Sequence, residues 1–249
     1  MRGRVRVSYP DRMSPVIDTT QMYLRTVYEL LEEGVTPLRA RIAERMQHSG
    51  PTVSQTVSRM ERDGLLTVHE DRRILLSDKG KYLAVQVMRR HRLAERLLVD
   101  VLGVPWSEAH EEACKWEHVI SDRVENRLVV LLEDPDVSVY GTPIPHMEDC
   151  VDLSISRFRE GAEPLSFVID PAGPVRVRLI RIGEFLQRDM ETLEALADAE
   201  ILPGSELEAT CDPTCLTLLT STHRCRLDAD WAEQLYVTPL PPATAAYVE

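Results

Sequence analysis

The chain has 249 residues, of which 43% are hydrophobic and 28% are charged, and this composition is typical of a soluble globular protein with one to three domains. It contains neither an apolar run of membrane-spanning length nor a secretory signal, so we expect no membrane partner and a cytoplasmic location. The formal net charge of −12 argues against a nucleic-acid partner for the chain as a whole, but not for a locally basic part of it.

The first third of the chain predicts a winged helix-turn-helix. Hydrophobic spacing and turn residues predict helices over 18–33, 36–46 and 52–63, followed by short strands at 65–68 and 73–76. Helix, helix, turn, helix and hairpin within about sixty residues is the layout of this DNA-binding motif. We therefore assign residues 18–76 to a DNA-binding domain and residues 1–17 to an N-terminal extension.

The charge within this domain supports the same interpretation. Between residues 36 and 62, two glutamates stand against five arginines, which are Arg39, Arg41, Arg45, Arg59 and Arg62. Small hydroxyl side chains let a helix lie close in the major groove, glutamine can pair with adenine, and arginine and serine can hold phosphates. The alternative is an ordinary solvated helix face. The predicted DNA contacts are Arg39, Arg41, Ser49, Pro51, Thr52, Ser54, Gln55, Arg59 and Arg72.

The rest of the chain predicts two more domains. Long helices are expected over 77–102 and 107–132, and the helical domain is assigned to residues 77–150. Prolines recur between 133 and 174, so a loop is expected there, with a Pro-rich linker at 151–174. Strand-like segments beyond 175 predict a small β-rich domain over 175–249, whose tail from Thr238 is expected to be mobile.

Metal-binding side chains lie at helical spacing on the two long helices. His91 and Glu95 are four residues apart on the first, and one stripe of the second carries His110, Cys114, Glu117, His118 and Ser121. Such a stripe normally holds leucine or valine, and burying these polar groups without a ligand would be costly. Each residue alone is more often an ordinary surface or core residue, but the set predicts a metal site.

The cysteines do not predict a disulfide framework. The five of them are odd in number and irregularly spaced, which leaves thiols free to bind metal. A second metal site could be sought at the C-terminal set, which consists of Cys211, Cys215, His223 and Cys225. The spacing is looser than a zinc knuckle requires, and ordinary thiols are the favoured interpretation.

Five stretches resemble the diphtheria toxin repressor family of iron-dependent regulators. They are Asp18-Thr-Thr-Gln-Met-Tyr-Leu-Arg-Thr26, Gly34-Val-Thr-Pro-Leu-Arg-Ala-Arg-Ile-Ala-Glu44, Ser49-Gly-Pro-Thr-Val-Ser-Gln-Thr56, Met88-Arg-Arg-His-Arg-Leu-Ala-Glu95 and Glu112-Ala-Cys-Lys-Trp-Glu-His118. The resemblance is close over residues 18–145 and weak beyond. It implies a mainly α fold with small β parts: a winged helix-turn-helix, a helical dimerisation domain and a C-terminal SH3-like β-barrel.

The resemblance also implies two metal sites per subunit and an anion site. One metal site resembles His91, Glu95 and His110, with further ligands from the C-terminal domain. There the family has a Glu and, three residues later, a Gln; ungapped alignment puts Asp189 and Thr192 at these positions, with Glu191 and Glu194 as substitutes. The other metal site resembles Met22, Cys114, Glu117 and His118. The residues that hold an anion in the family correspond to Arg92, Ser138 and Thr142 here. The family's DNA contacts add Ala40 to the predicted DNA-binding residues.

The function implied by this resemblance is an iron(II)-activated transcriptional repressor. Such a protein would bind double-stranded operator DNA as a homodimer or a pair of dimers and control iron uptake, siderophore and storage genes. Two Fe2+ per subunit are expected, with Mn2+, Co2+, Ni2+ or Zn2+ as substitutes in vitro. The alternatives are a manganese regulator of the same fold and, from another class, a metallohydrolase, which is disfavoured because no HExxH-type motif is present.

Overall fold

The computed structural model describes residues 15–150, 156–171 and 173–241. Most of the predicted N-terminal extension and the end of the predicted tail therefore lie outside the described residues. The described chain is mainly helical in its first 150 residues and contains a six-stranded sheet in its last third, so the predicted fold class is confirmed.

The first domain is the predicted winged helix-turn-helix. It consists of α1 (Pro15–Glu32), α2 (Arg39–Met46), α3 (Gly50–Arg62), β1 (Leu66–Val68) and β2 (Ile74–Leu76). The α3 helix begins where the Ser49 hydroxyl accepts a hydrogen bond from the Thr52 amide, and the strands form an antiparallel hairpin. The β1–β2 hairpin is the wing of the motif. The Ile74 amide donates a hydrogen bond of 2.9 Å to the Pro37 carbonyl, which holds the wing against the segment before α2.

The helical domain differs from its prediction in one respect. The α4 helix (Asp78–Arg96) continues as a π-helical turn (Leu97–Val101), close to the predicted bounds. The second long helix, expected without a break over 107–132, is instead divided into α5 (Ala109–Trp116) and α6 (Asp122–Leu131). The cause is local: Ile120 is buried in the bend, and Ser121 caps α6 by accepting a hydrogen bond from the Val124 amide.

The last domain is a barrel-like sheet with strand order β3-β8-β4-β5-β6-β7. Its elements are α7 (Ser156–Arg159), β3 (Glu163–Pro164), α8 (Leu165–Val168), β4 (Val175–Ile182), α9 (Met190–Asp198), β5 (Glu206–Cys211), β6 (Cys215–Leu219), β7 (Arg224–Asp228) and β8 (Leu235–Pro239). The predicted Pro-rich linker thus contains short helices and a strand. The expectation of a mobile tail from Thr238 was wrong for Thr238 and Pro239, because both pair with β4 in the sheet.

Two large hydrophobic cores meet on α4. The first half of α4 packs with α1, α2, α3 and the wing through residues such as Ala84, Val85 and Met88. Its second half packs with α5, α6 and the sheet through Leu93, Ala94 and neighbouring residues. The segment of α4 between these cores carries His91, so the ligand-bearing face lies where all three domains meet. No helix of the described ranges is both long and apolar enough to span a membrane.

Candidate metal centre

The first cluster of metal-binding side chains is formed by α4 and α5. His91 and Glu95 are fully buried on α4, and His110 is 2% exposed on α5. Nε2 of His91 lies 2.6 Å from Oε1 of Glu95 and 3.2 Å from Nδ1 of His110, and Nδ1 of His110 lies 3.3 Å from the same Glu95 oxygen. The structure therefore brings together three residues that the sequence pattern placed on two different helices.

The C-terminal domain completes this cluster with residues that the sequence analysis missed. Glu184 lies just beyond Gly183 at the end of β4 and is 1% exposed, and Gln187 is 2% exposed in the next turn. Oε2 of Glu184 lies 3.7 Å from Nε2 of His91 and 3.8 Å from Nδ1 of His110, while Oε1 of Gln187 lies 3.0 Å from Nδ1 of His110. The acid and the amide are three residues apart, which is the spacing that the family resemblance implied.

Asp189 lies elsewhere, so its assignment to this cluster is corrected. Its carboxylate caps α9 by accepting a hydrogen bond from the Thr192 amide at 2.8 Å. Glu191 and Glu194, the substitutes considered, are exposed on α9. Ungapped alignment pointed five residues beyond the pair that the structure brings to the imidazoles, because the resemblance is weak in the chain before β4. The Glu-x-x-Gln spacing after the strand was the signal that could have found this pair.

The donor set of this cluster fits a divalent cation. One ligand atom from each of His91, Glu95, His110 and Glu184 lies within 4.8 Å of the others, and Oε2 of Glu95 is buried without a hydrogen-bond partner among the described residues. Burial raises the pKa of Glu95 to about 7, and burial together with the nearby Arg25 lowers the pKa of His91 well below its ordinary value. Neutral imidazole is the form that binds metal, and the unpartnered oxygen of Glu95 is an acceptor that a divalent cation would satisfy.

A second cluster lines a cavity of 310 Å3 beside the first. Met22 on α1 is 44% exposed, Glu117 is 2% exposed, and Cys114 and His118 are partly buried. Nε2 of His118 lies 3.2 Å from Oε1 of Glu117, and Sγ of Cys114 lies 3.6 Å from Nε2 of His110. The four residues expected at the second metal site thus face one cavity, and Glu117 also contacts the first cluster, with Oε2 2.7 Å from Nδ1 of His91.

Arg25 is the other residue that the sequence analysis missed. It lies on α1, is 4% exposed, and forms ion pairs with Glu29 at 2.8 Å, Glu117 at 2.7 Å and Glu184 at 3.1 Å. Burial alone would lower the pKa of Arg25, but the charges of Glu117 and its neighbours hold it well above the ordinary value. The signal was its spacing, because Met22, Arg25 and Glu29 share one face of α1.

The residues expected to hold an anion have other partners here. Arg92 is fully buried and donates hydrogen bonds to the carboxylates of Glu32 and Glu184. Burial alone would raise the pKa of Glu184, but Arg92 and Arg25 lower it to about 2. Ser138 instead lies 2.8 Å from Thr142 between their hydroxyl oxygens. Two carboxylates of the chain itself therefore balance the charge of Arg92 in this structure.

The residues expected to contact DNA lie mainly on the exposed side of the winged helix. Ser49, Pro51, Thr52, Ser54 and Gln55 are exposed at the N-terminal part of α3, and Ala40 and Arg41 are exposed on α2. Within the described ranges, Nε of Arg39 and both Nε and Nη2 of Arg59 are shielded from solvent but have no hydrogen-bond partner. Arg72 is exposed in the turn between β1 and β2, where its φ is 71°.

The cysteines of the barrel do not form a common site with His223. Cys215 pairs with Asp228 at one end of the β6–β7 ladder, whereas His223 follows the other end, where Leu219 pairs with Arg224. Cys225 is buried and lies 3.6 Å from the Ala195 carbonyl. The separation of these residues agrees with their interpretation as ordinary thiols.

A winged helix joined to a buried cluster of imidazoles and carboxylates defines the class of metal-dependent DNA-binding regulators. Family models for the iron dependent repressor match the N-terminal DNA binding domain over residues 16–74 and the metal binding and dimerisation domain over 77–146. The diphtheria toxin repressor SH3 domain matches residues 168–238. The chain belongs to the iron-dependent repressor family, whose members are transcriptional repressors and not enzymes, so the metallohydrolase alternative is set aside.

Named relatives and solved structures agree with this assignment. The chain is 52% identical over 205 residues to the iron-dependent repressor IdeR of Mycobacterium tuberculosis (strain ATCC 25618 / H37Rv), covering 81% of this chain and 87% of the relative. It is 48% identical over 230 residues to the diphtheria toxin repressor of Corynebacterium diphtheriae, covering 92% and 100%. A solved manganese-dependent transcriptional repressor in complex with manganese matches with a TM-score of 0.73 at 26% identity, covering 89% of this chain and all of that one.

Proposed function

We propose that this protein is an iron(II)-activated transcriptional repressor that binds operator DNA as a dimer or a pair of dimers. The observation that carries the proposal is the junction of three domains at one buried cluster: α4 and α5 supply His91 and His110, the barrel supplies Glu184, and α1 contacts the cluster through Arg25. A regulator of iron uptake, siderophore and storage genes needs this kind of link between metal and DNA. It would act in the cytoplasm, where the chromosome is.

Two clusters are proposed as metal sites. His91, Glu95, His110, Glu184 and Gln187 would hold one Fe2+, and Met22, Cys114, Glu117 and His118 would hold another. A bound divalent cation would supply the positive charge that joins these donors, which come from different domains. The chain's own part is to fix α1 against α4 and α5, so that metal and DNA favour the same arrangement of the winged helix and bind with positive coupling.

The exposed face of α3 is proposed to read the operator. Gln55 and Ser54 are well placed to contact base edges, because they lie next to the capped N-terminus of a helix whose other face is buried by Val53 and Val57. Arg39 and Arg59 are proposed to hold phosphates, because both are partly exposed beside the exposed residues of α2 and α3 and carry the charge that a phosphate needs. Arg72 in the wing would contact the backbone beside the recognition helix.

Dimerisation is proposed through the helical domain. Apolar side chains are unusually exposed at the end of the π-helical turn and around α5 and α6; they are Val101, Leu102, Val119, Val130 and Leu131. Exposed apolar residues concentrated in one domain indicate an interaction surface. A two-fold dimer would present two α3 helices to half-sites about one helical turn, roughly 34 Å, apart.

Iron is favoured over manganese because the second cluster contains sulfur. Met22 offers a thioether and Cys114 a thiol, and both are softer donors than the oxygen ligands that Mn2+ favours. The solved manganese-dependent repressor shares the fold at 26% identity, whereas the relatives at about half identity are named for iron or for the diphtheria toxin repressor.

The experiment that tests the proposal is an anaerobic operator mobility-shift titration with Fe2+, Mn2+ and Zn2+, each held at a buffered free concentration. We expect a shift that needs metal and that Fe2+ supports. The variant Glu95→Gln, which removes a charged donor without changing volume, should need more Fe2+, whereas Glu208→Gln on the barrel should behave as wild type. Strong activation by Mn2+ with none by Fe2+ would contradict the iron assignment.

A further inference from the structure

One guanidinium touches ligand atoms of both clusters. Nη1 of Arg25 lies 2.7 Å from Oε2 of Glu117 and 3.2 Å from Sγ of Cys114, both in the second cluster. Nη2 lies 3.1 Å from Oε2 of Glu184, in the first cluster. Nη1 is also 3.1 Å from Nδ1 of His91. The Glu117, Cys114 and Glu184 atoms are donors that the proposed metal sites require; at His91 the donor facing the first cluster is Nε2, which lies 3.4 Å from Nη2 of Arg25.

A buried carboxylate without a countercharge is strongly unfavourable, so the acidic side chains here need a cation when no metal is bound. Arg25 supplies a cation to both Glu117 and Glu184, and Arg92 supplies a second one to Glu184. The guanidinium of Arg25 and a metal ion cannot hold the same donor atoms at once, because each contact at 2.7 to 3.2 Å blocks the approach of a second cation along it.

We propose that Arg25 is an internal counterion that competes with metal at both clusters and thereby couples their occupancy. The inference rests on the proposed two-site function. When metal fills one cluster, the guanidinium loses its hydrogen bonds to the donors of that cluster and is held less firmly at the other. The donors of the other cluster then become available, so the second ion binds more tightly than the first. Because Arg25 lies on α1, the same displacement acts directly on the winged helix.

The surroundings allow the guanidinium to leave. Glu29, which accepts from Nε of Arg25, is also paired with Arg188 of the barrel at 3.0 Å, so it keeps a countercharge after the exchange. Arg25 lines the same 310 Å3 cavity as Met22 and Met46, which gives the side chain space to reorient.

The test measures metal binding itself, by titration of the full-length protein with Co2+ against a chromophoric chelator. Wild type should bind two Co2+ per chain with a Hill coefficient above 1. Arg25→Met should lower the half-saturating Co2+ concentration by about tenfold and bring the Hill coefficient close to 1, since coupling between sites is typically of this size. Arg25→Lys keeps the charge but cannot bridge both clusters, so it should lower the Hill coefficient with a smaller change in half-saturation.

The matched control is Arg90→Met, which removes another buried arginine of the same region. Arg90 is 9% exposed and is paired with Asp122 and Glu125, away from both clusters. The Co2+ isotherm of Arg90→Met should therefore match that of the wild type. An Arg25→Met isotherm that is unchanged, or weaker than that of wild type, overturns the inference. If Arg25→Met does not fold without metal, Arg25→Lys takes its place: an Arg25→Lys isotherm identical to that of the wild type would then overturn the inference. Fewer than two Co2+ bound by wild type would overturn the two-site function as well.

Discussion

At the scale of single residues, the acid and amide after β4 decide how the first cluster is completed. Glu184 is in contact distance of the buried imidazoles, whereas Asp189, five residues later, caps α9. Both are acids near the start of a helical turn, and only the fold distinguishes a ligand from a cap.

Glu184→Gln should therefore raise the Fe2+ concentration for half-maximal binding by about tenfold or more, because a charged donor is lost beside two imidazoles. It should also lower the unfolding temperature of the metal-free protein, since Arg92 and Arg25 lose a buried partner. Asp189→Asn is the control: asparagine caps helices as well as aspartate, so metal binding should not change. Isothermal titration and thermal unfolding measure the two effects. An equal loss in both variants would contradict the assignment.

The exposed residues of α3 give a second prediction. Gln55→Ala should alter sequence preference by about 1–3 kcal/mol for each lost base contact. Arg59→Ala should weaken binding to all sequences alike. It should also make the slope of log K against log salt concentration shallower by about one, the value expected for one lost phosphate contact. Fluorescence anisotropy on operator variants at several salt concentrations separates the two behaviours, and an unchanged salt slope for Arg59→Ala would exclude it as a phosphate contact.

The preference for Fe2+ over Mn2+ is expected to depend on two side chains, Met22 and Cys114. The double change Met22→Asp and Cys114→Asp replaces sulfur with oxygen donors and should shift activation from Fe2+ towards Mn2+. The fold should survive, because both side chains line a cavity and neither is part of a hydrophobic core. Anaerobic operator binding against each metal, wild type beside the double variant, gives the measurement. An unchanged Fe2+ preference would show that sulfur does not determine the selectivity.

At the scale of secondary-structure elements, the end of α5 separates a side that faces the ligands from a side that is exposed and apolar. Glu117 is 2% exposed beside the ligands, whereas Val119, two residues on, is 69% exposed. Residues two apart lie about 200° apart around a helix, so helical geometry places these two side chains on nearly opposite sides.

Val119→Asp is therefore expected to weaken dimerisation, since a charge in an apolar interface loses its hydration. Sedimentation velocity over a range of concentrations should show more monomer, and operator affinity should fall with it. Leu202→Asp, a similar change at a 40% exposed leucine of the barrel, serves as the control and should sediment as wild type. Identical sedimentation of Val119→Asp and wild type would place the interface elsewhere.

At the scale of the whole molecule, metal binding is linked to protons. Burial raises the pKa of Glu95 to about 7 and that of Glu117 to about 8, so in the metal-free protein both hold protons at low pH that a metal must displace. The same shifts stabilise the metal-free fold below the ordinary glutamate pKa, and that stability is lost as pH rises towards 8.

Metal binding should accordingly release about two protons per chain from these groups near pH 6 and almost none from them above pH 9. Calorimetric titration in buffers of different ionisation enthalpy measures the number. Glu95→Gln should release about one proton fewer near pH 6. Release that does not decline with rising pH would contradict the raised pKa values.

Much of the molecule could be predicted from the sequence because the relevant signals are local. The winged helix follows from helical periodicity, turn residues and caps within about sixty residues. His91 with Glu95, and His110 with Cys114, are visible as ligands because i, i+4 spacing puts side chains on one face of a helix. The cores and the exposed face of α3 follow from the same periodicity.

Only the tertiary structure decided which distant residues join these local pairs. Arg25 and Glu184 are 159 residues apart in the chain yet lie in hydrogen-bond contact, and no local pattern encodes that distance. The division of the second long helix depended on burying Ile120, and the role of Asp189 depended on where β4 ends. The sequence by itself determined the elements and the ligand types, because these follow from short-range spacing; the fold determined how the cluster is completed, because that depends on packing three domains against one helix.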